Sequence, residues 1–252
     1  GIEDATKAIS LSPKFGRAYA NRGWGREEKK NYKEAITDYL KAIEFGFKKA
    51  WVLNSLGYCY YRLKENDAAL KYYSQAIKTD PKYALAYSNR GWQFLRKKKV
   101  DDAIADFTMA IELQPKNPFY FRAQGEARKR KGDRNGAISD YSKAIQLKPD
   151  YAYAYWCRGK VYAGQKKYDA AIADYTKTVK INPKDATAFI DRGVAKYWKG
   201  NRTGATEDFE RAVAINPKSP TVHNNLGWVR LWQGRFQEAI SRFTKAVTLN
   251  PK

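Results

Sequence analysis

The fold is decided by a repeated pattern, whose clearest copy, residues 84–117, reads ALAYSNRGWQFLRKKKVDDAIADFTMAIELQPKN. The proline in this stretch belongs to a series in which successive prolines stand 34 residues apart: Pro81, Pro115, Pro149, Pro183, Pro217 and Pro251. Pro13 lies two periods before Pro81, with Phe47 at the intermediate position. Self-similarity at a period of 20 to 50 residues indicates stacked copies of one supersecondary unit.

Each repeat is counted as places 1 to 34 and begins three residues after this proline. Residues 1–15 then form a half repeat that contains a second helix only. Seven full repeats follow it: 16–49, 50–83, 84–117, 118–151, 152–185, 186–219 and 220–252. We expect them to form one continuous solenoid.

Three places in the repeat hold a nearly constant residue type. Place 8 is glycine, place 20 is alanine and place 24 is aromatic in all seven copies, as Gly91, Ala103 and Phe107 illustrate. Small residues at places 8 and 20 let two antiparallel helices approach closely, and the ring at place 24 fills the space beside them. The proline at place 32 then ends the second helix. Each repeat is therefore predicted to be a helical hairpin.

Over the whole chain this pattern resembles the tetratricopeptide repeat family, with small residues at places 8, 20 and 27, an aromatic at place 24 and the terminal proline. It departs from the family at place 4, where tryptophan is often found, and at place 7, which is arginine in four repeats. The resemblance implies an all-α fold, an α-α superhelix in which the hairpins stack as a right-handed solenoid. First helices would line a concave groove and second helices the outer wall.

Composition restricts the class of protein further. The chain has 252 residues, 48 Lys and Arg, 26 Asp and Glu, and a net charge of +22. With 43% hydrophobic and 15% aromatic residues it can bury a core, which excludes wholesale disorder. The longest uncharged stretch, residues 50–61, is too short to span a membrane, and the N-terminus does not resemble a signal peptide. The expected location is intracellular, in the cytoplasm.

Most of the basic excess falls on first helices, but part of it is predicted to be structural. Wherever place 7 is arginine, place 23 of the same repeat is aspartate: Arg22 with Asp38, Arg90 with Asp106, Arg158 with Asp174, and Arg192 with Asp208. Where place 7 is leucine, place 23 is not aspartate. An unpaired charge between packed helices is strongly unfavourable, so each of these arginines should pair with its aspartate.

The candidate ligand-binding residues lie at places 2, 5, 6, 9, 12 and 13 of the first helices, a set we call the inner stripe. All seven tryptophans fall on it: Trp24, Trp51, Trp92, Trp156, Trp198, Trp228 and Trp232. Tyr58 and Tyr61 lie there as well. Places 2, 5, 9 and 13 span an arc of about 80° that faces away from place 8. We expect these rings to lie outside the core of their own repeat and to face the groove, with packing against a neighbouring repeat as the alternative.

Polar side chains accompany the rings. Four amides and four arginines are candidates for ligand contact: Asn21, Asn54, Asn89, Asn225, Arg62, Arg96, Arg122 and Arg130. An amide donates and accepts hydrogen bonds at once, which suits a peptide backbone, and the resemblance implies the same use of inner asparagines. A lysine ridge near the turn between the helices is either a solvated turn or a ligand surface: Lys29, Lys30, Lys64, Lys97, Lys98, Lys131, Lys166 and Lys199, extended by Lys99 and Lys167.

No residue pattern indicates catalysis. The single histidine, His223, stands at place 4, where an aromatic core residue belongs, and Cys59 and Cys157 are almost three repeats apart. Neither a zinc site nor a phosphate-binding glycine loop is present in the sequence. We expect no enzymatic activity, no metal and no cofactor.

The sequence therefore predicts a non-catalytic scaffold that binds an extended, acidic or aromatic-containing peptide of a protein partner. Tryptophan and tyrosine would anchor the peptide, asparagine its backbone and arginine its acidic side chains. The main alternative is single-stranded RNA or DNA, because bases stack on aromatic rings while lysines follow the phosphates. Both ends look cut and lack a polar capping helix, so this is expected to be a segment of a longer protein, and self-association through the ends is a third alternative.

Overall fold

A computed structural model describes residues 1–250, and this part of the chain contains fifteen α-helices and no strand. They are α1 Ile2–Leu11, α2 Gly16–Glu28, α3 Tyr32–Glu44, α4 Ala50–Arg62, α5 Asn66–Thr79, α6 Ala84–Arg96, α7 Val100–Leu113, α8 Pro118–Lys131, α9 Arg134–Leu147, α10 Ala152–Gly164, α11 Tyr168–Ile181, α12 Ala186–Trp198, α13 Arg202–Ile215, α14 Pro220–Trp232 and α15 Phe236–Leu249. No helix in residues 1–250 has the length and hydropathy that crossing a membrane would require.

The chain divides into two compact units, Gly1–Gly132 and Asp133–Lys252. In the first unit α2 pairs with α3, α4 with α5 and α6 with α7, and each later first helix also packs on the second helix before it. In the second unit α10 pairs with α11, α12 with α13 and α14 with α15 in the same way. The prediction of an all-α fold built from helical hairpins with a 34-residue period is confirmed.

The interior of a hairpin follows the sequence pattern closely. A Cβ atom added at Gly91 would approach the ring of Phe107 to 2.8 Å, and that ring is fully buried. The same clash with the place 24 ring would occur at the equivalent glycines: Gly23, Gly57, Gly159, Gly193 and Gly227. Glycine is therefore needed at place 8 because the aromatic ring lies directly over the helix backbone.

The turn inside each hairpin has a left-handed residue at place 15. Three repeats use glycine there, at Gly132, Gly200 and Gly234, and four use lysine: Lys30 (φ 63°), Lys64 (φ 67°), Lys98 (φ 60°) and Lys166 (φ 58°). In the first repeat the N–H of Asn31 donates to the carbonyl of Arg26 at 2.9 Å, which is the Schellman closure of a helix end. A side chain with a Cβ atom disfavours this conformation, so the lysines occupy a strained backbone position.

Helix α1 packs on α2, as expected for a lone second helix. Its Ala5 is buried, and the Ile2 side chain lies so close to α2 that a Cβ atom at Gly25 would come within 2.7 Å of it. Leu11, at the end of α1, is exposed. The first eleven residues are thus an ordered part of the first unit.

The four predicted arginine–aspartate pairs are confirmed. Arg90 donates from Nε and Nη2 to the two carboxylate oxygens of Asp106, at 2.8 and 2.7 Å. The aliphatic and guanidinium parts of Arg90 lie between the rings of Tyr87 and Phe94, 5.8 and 5.6 Å from their centroids. The same two-bond pairing joins Arg22 to Asp38, Arg158 to Asp174, and Arg192 to Asp208. These arginines are structural and do not contribute to a ligand surface.

Each of these arginines also reaches the preceding repeat, a contact that the sequence analysis missed. Nη1 of Arg158 donates to the hydroxyl of Ser142 at 2.7 Å, from place 7 of one repeat to place 25 of the repeat before it. Equivalent bonds join Arg22 to Thr6, Arg90 to Ser74, Arg192 to Thr176 and, with an amide donor, Gln124 to Thr108. The sequence did contain a signal for this contact. Where place 7 is leucine, place 25 of the preceding repeat is Leu40 or Glu210, and neither side chain has a hydroxyl group.

Candidate functional site

In the second unit, the inner stripes of α12 and α14 form an aromatic cavity that we call the tryptophan pocket. Trp198, Trp228 and Trp232 line a space of about 310 Å³ and expose 64%, 48% and 55% of their surface. Asn225 contributes an amide to the same wall. The remaining lining residues are Val194, Tyr197, Phe209 and Val229. Trp198 and Trp232 thus expose their rings, in agreement with the sequence expectation.

The indoles of the tryptophan pocket are held in place by other rings. Trp228 packs edge-on against Phe243 at a centroid distance of 5.5 Å, and Trp198 packs edge-on against Tyr197 at 5.6 Å. The guanidinium of Arg202 lies 5.4 Å from the ring of Trp232. Because the rings are supported from the side, a ligand would not have to order them.

The first unit has a more polar cavity, the amide cleft, of about 440 Å³. It is lined by Trp24, Glu27, Trp51, Asn54, Ser55, Tyr58, Tyr83, Leu85 and Asn89. Nδ2 of Asn89 donates to Oδ1 of Asn54 at 2.9 Å, and Asn54 is buried. Among residues 1–250, Asn54 Nδ2 and Asn89 Oδ1 have no other partner, so one donor and one acceptor remain for a peptide group.

Glu27, at place 12 of the inner stripe, is a cleft residue that was not among the predicted ligand-binding residues. Its Oε2 accepts a hydrogen bond of 2.6 Å from the hydroxyl of the fully buried Tyr39. Burial raises the pKa of the Glu27 carboxyl, and hydrogen bonds from Tyr39 and Ser55 oppose that shift. The amide cleft thus contains a carboxyl group that is partly removed from water.

We expect Glu27→Gln to be more stable than the parent at pH 7, and this advantage to shrink as the pH falls. Because the pKa of Glu27 is raised in the folded protein, the stability of the parent increases as the pH falls through that pKa and Glu27 binds a proton. The glutamine side chain does not titrate, so the variant shows no such increase. The amide oxygen of the glutamine can still accept a hydrogen bond from the Tyr39 hydroxyl. Urea unfolding between pH 4 and pH 8 measures the difference. Glu28→Gln removes the same charge from an exposed neighbour, and equal behaviour of both variants would contradict the expectation.

Two of the predicted groove tryptophans pack mainly inside the fold. The half-buried Trp51 lies edge-on to Tyr39 and Phe47 of the preceding repeat, at 6.5 and 6.2 Å. The half-buried Trp92 packs edge-on against Phe107 of its own repeat at 5.4 Å. The expectation that inner-stripe rings avoid the core of their own repeat is therefore wrong for Trp92. The reason is the glycine at place 8, over which the place 24 ring extends until it meets the indole at place 9.

Trp156 makes a contact between repeats. Its Nε1 donates to Oδ2 of Asp191 at 2.8 Å, and Nζ of Lys160 lies 4.7 Å from its ring centroid. Burial raises the pKa of Asp191, an effect that the Trp156 hydrogen bond and the Lys160 charge oppose. The expectation of an open ring face at Trp156 is corrected, since an ammonium group covers that ring and its indole N–H is already used.

Trp24 and Asn21 lie at the other end of the first unit, beside α1. Both are exposed and line a cavity of about 560 Å³ together with Arg17, Phe15, Gly1 and three residues of α1. Trp24 also borders the amide cleft, so its indole separates two open spaces.

Most predicted groove arginines lie on aromatic rings. Guanidinium-to-centroid distances are 4.8 Å for Arg62 and Tyr32, 5.5 Å for Arg96 and Tyr61, and 4.9 Å for Arg122 and Trp92. Arg62 also donates to the Tyr58 hydroxyl at 2.7 Å. Each of these three guanidinium groups thus lies within cation–π distance of an aromatic ring.

Arg130 differs from the other three arginines. Its Nε donates to Glu126 at 3.0 Å, and its Nη1 lies 3.4 Å from the carbonyl of Leu95. Glu126 also accepts from Lys129 at 2.6 Å. Arg130 therefore uses two of its nitrogen atoms, Nε and Nη1, in contacts within the protein.

Two subsets of the lysine ridge differ in their contacts. At place 14, Lys97 pairs with Asp67, Lys131 with Asp101 and Lys199 with Asp169 of the preceding repeat. At place 15, the left-handed lysines 30, 64, 98 and 166 are exposed and form no ion pair or hydrogen bond through their side chains to any residue in 1–250. The first kind supports the stacking of repeats; the second does not.

Family models agree with the repeat frame. Tetratricopeptide repeat models match residues 16–45, 50–83, 84–117, 152–185 and 220–252, and a TPR repeat model matches residues 125–166. Together these matches cover well over half of the chain. No curated protein matches the sequence significantly.

Solved structures of tetratricopeptide repeat proteins share the fold. A MamA chain from Desulfovibrio magneticus is 24% identical over 67% of this chain and 95% of its own, with a TM-score of 0.62. YrrB, described as a TPR protein with an unusual peptide-binding site, is 24% identical over 73% of this chain and 95% of its own, with a TM-score of 0.60. PilF from Pseudomonas aeruginosa is 17% identical over 87% and 97%, with a TM-score of 0.72. The chain belongs to the tetratricopeptide repeat family.

Proposed function

We propose that this protein is a non-catalytic scaffold that binds an extended peptide segment of a protein partner along its inner stripe. The observation that carries the proposal is the tryptophan pocket, in which three exposed indoles surround about 310 Å³ of open space. Exposed apolar surface of this kind marks interaction sites, and tryptophan is among the residues that dominate binding energies.

The pocket suits one large apolar or aromatic side chain of the ligand. Its volume is at the lower end of the range for ligand cavities, and its rings are already oriented by Phe243 and Tyr197. Asn225 at the wall is placed to bind the peptide backbone next to that anchor. An aromatic residue of the ligand would stack in offset or edge-on geometry against the indoles.

In the first unit, the amide cleft would bind backbone and the arginines would bind acidic side chains. The unused donor of Asn54 and acceptor of Asn89 match the two polar groups of one peptide unit. Arg62 and Arg96 present N–H edges suited to carboxylates. The peptide is thus expected to contain acidic and aromatic residues, and the description of YrrB as having a peptide-binding site is consistent with this use of the fold.

Single-stranded nucleic acid is the less favoured ligand. Base binding needs open aromatic faces, whereas cations lie over Tyr61, Trp92 and Trp156. Peptide binding needs fewer free faces, because one anchor and a backbone contact are enough.

A phage library of 12-residue peptides, panned against the whole chain, tests the proposal. We expect enrichment of peptides with an aromatic or large aliphatic anchor, and their binding should quench tryptophan fluorescence. A 12-residue oligothymidylate should bind more weakly, with a steep salt dependence if it binds at all. If no peptide is enriched while the oligonucleotide binds tightly, the proposal is rejected.

A further inference from the structure

We infer that the binding surface of the first unit extends to the turn edge of its first three hairpins, where it takes an acidic polypeptide segment. This basic edge consists of Lys30, Lys64 and Lys98 at place 15 and Arg62 and Arg96 at place 13. The inference rests on the proposed function, since the segment would belong to the same kind of partner. The basic edge would bind acidic side chains of that partner, which the apolar tryptophan pocket does not bind.

Place 13 distinguishes the two units. It is Arg62 and Arg96 in the second and third repeats, but Trp198 and Trp232 in the sixth and seventh. The helix position that builds an apolar pocket in the sixth and seventh repeats therefore carries cations in the second and third, while the first repeat has Glu28 there. One protein thus offers two different chemistries at the same place of the repeat.

The arginines of the basic edge are oriented for anion binding. Arg62 and Arg96 are exposed, and each lies on a tyrosine ring, Tyr32 at 4.8 Å and Tyr61 at 5.5 Å. Arg62 donates from Nη1 to the Tyr58 hydroxyl, but a guanidinium held against a ring keeps its other N–H edge available. That edge matches a carboxylate in two parallel hydrogen bonds.

The lysines provide an independent argument, from backbone conformation. Lys30, Lys64 and Lys98 have φ values of 63°, 67° and 60°, where glycine would be unstrained and where other repeats of this chain have glycine. Their side chains contact no charged partner among the described residues, unlike Lys97 at place 14, which pairs with Asp67. A strained residue whose side chain does nothing for the fold points to a role outside it when further cations accompany it, as Arg62 and Arg96 accompany Lys64 and Lys98. For a lysine, that role is the charge. Lys166 lacks such a companion, since place 13 of its repeat is Gly164.

Spacing and ring coverage favour a polypeptide over nucleic acid. The helices α2 and α4 are in contact, as are α4 and α6, and packed helices generally lie about 8–10 Å apart. An extended peptide advances about 3.3 Å per residue, so an acidic side chain at every third position would meet successive hairpins. A guanidinium group lies over one face of each of Tyr32 and Tyr61, which reduces the ring area available to bases.

The test uses the whole chain and the triple variant Lys30→Gly, Lys64→Gly, Lys98→Gly. The probe is a labelled 12-residue peptide with glutamate at every third position among glycine and serine, measured by fluorescence anisotropy. We expect the variant to bind it about tenfold more weakly, through loss of three solvent-exposed charge contacts. Its melting temperature should rise by about 2–4 °C for each substitution, because the left-handed strain is removed.

Lys166→Gly is the matched control, since it removes a left-handed lysine from the second unit. It should raise the melting temperature without changing binding of the glutamate peptide. Unchanged binding by the triple variant, or tighter binding of oligothymidylate than of the glutamate peptide, would overturn the inference. A lower melting temperature would overturn its backbone argument. Loss of phage-selected peptide binding in a Trp198→Ala variant, with glutamate-peptide binding intact, separates this surface from the tryptophan pocket.

Discussion

Replacing Asp106 with alanine is expected to lower the free energy of unfolding by about 3–5 kcal/mol. The substitution leaves Arg90 between α6 and α7, packed between two rings and without the carboxylate that accepts two of its hydrogen bonds. The remaining bond to Ser74 is long, at 3.4 Å, and cannot compensate. Urea unfolding followed by far-UV circular dichroism measures the loss, and a change below about 1 kcal/mol would mean that water solvates Arg90.

A double variant, Arg90→Leu with Asp106→Tyr, should recover most of that stability. The second repeat already has this solution, with Leu56 at place 7 and Tyr72 at place 23 stacked on Tyr60 at 5.4 Å. Burial raises the pKa of Asp106 despite the neighbouring Arg90, so the ion pair bears a desolvation penalty that an apolar pair avoids. Failure of the double variant to improve on Asp106→Ala would show that the charge pair itself is required.

Trp198→Ala and Trp92→Ala are expected to have opposite effects. Trp198 exposes 64% of its surface in the tryptophan pocket, so its removal should change stability by less than about 1 kcal/mol. It should weaken binding of a phage-selected peptide by about 2 kcal/mol, or about 30-fold. Trp92 packs on Phe107 and under Arg122, and its removal should cost about 3 kcal/mol of stability with peptide binding at the pocket unchanged.

Thermal unfolding and peptide titration of both variants decide between the two roles. The decisive comparison is the ratio of binding loss to stability loss for each tryptophan. If Trp92→Ala weakened peptide binding while Trp198→Ala did not, the ligand would contact the first unit, and the tryptophan pocket would lose its assigned function.

The sequence predicted the hairpins because glycine at place 8 and the ring at place 24 recur in every copy, and it predicted the arginine pairs because places 7 and 23 vary together. The hydroxyl that each arginine reaches was missed because it lies in the preceding repeat, outside the frame of comparison. Helical angle placed Trp92 and Trp198 on the same arc. It could not show that Phe107 extends past Gly91 to the Trp92 indole, or that Arg122 covers the other side.

The inner stripe as a ligand site and the seven repeats as one continuous solenoid stay predictions. For the inner stripe, a helical wheel shows on which side of the helix a residue lies, but not which neighbouring side chains cover it. Cations from the same or the next repeat lie over Tyr58, Tyr61 and Trp156. The open space at Trp198, Trp228 and Trp232 depends on the size and packing of the neighbouring side chains, which a helical wheel does not show.

The hydroxyl bonds between repeats make the array cooperative, and the junction before the seventh repeat lacks one. Leu226 stands at place 7 there, and the polar connection is instead Arg230 to Glu210, whose carboxylate is half exposed and open to screening by salt. In a linear array, stability is shared through nearest-neighbour coupling, so a weak junction is where the chain frays first. The tryptophan pocket spans this same junction, between α12 and α14. A ligand bound there would therefore stabilise the contact between the last two hairpins, and its affinity would include the free energy of keeping the last hairpin folded.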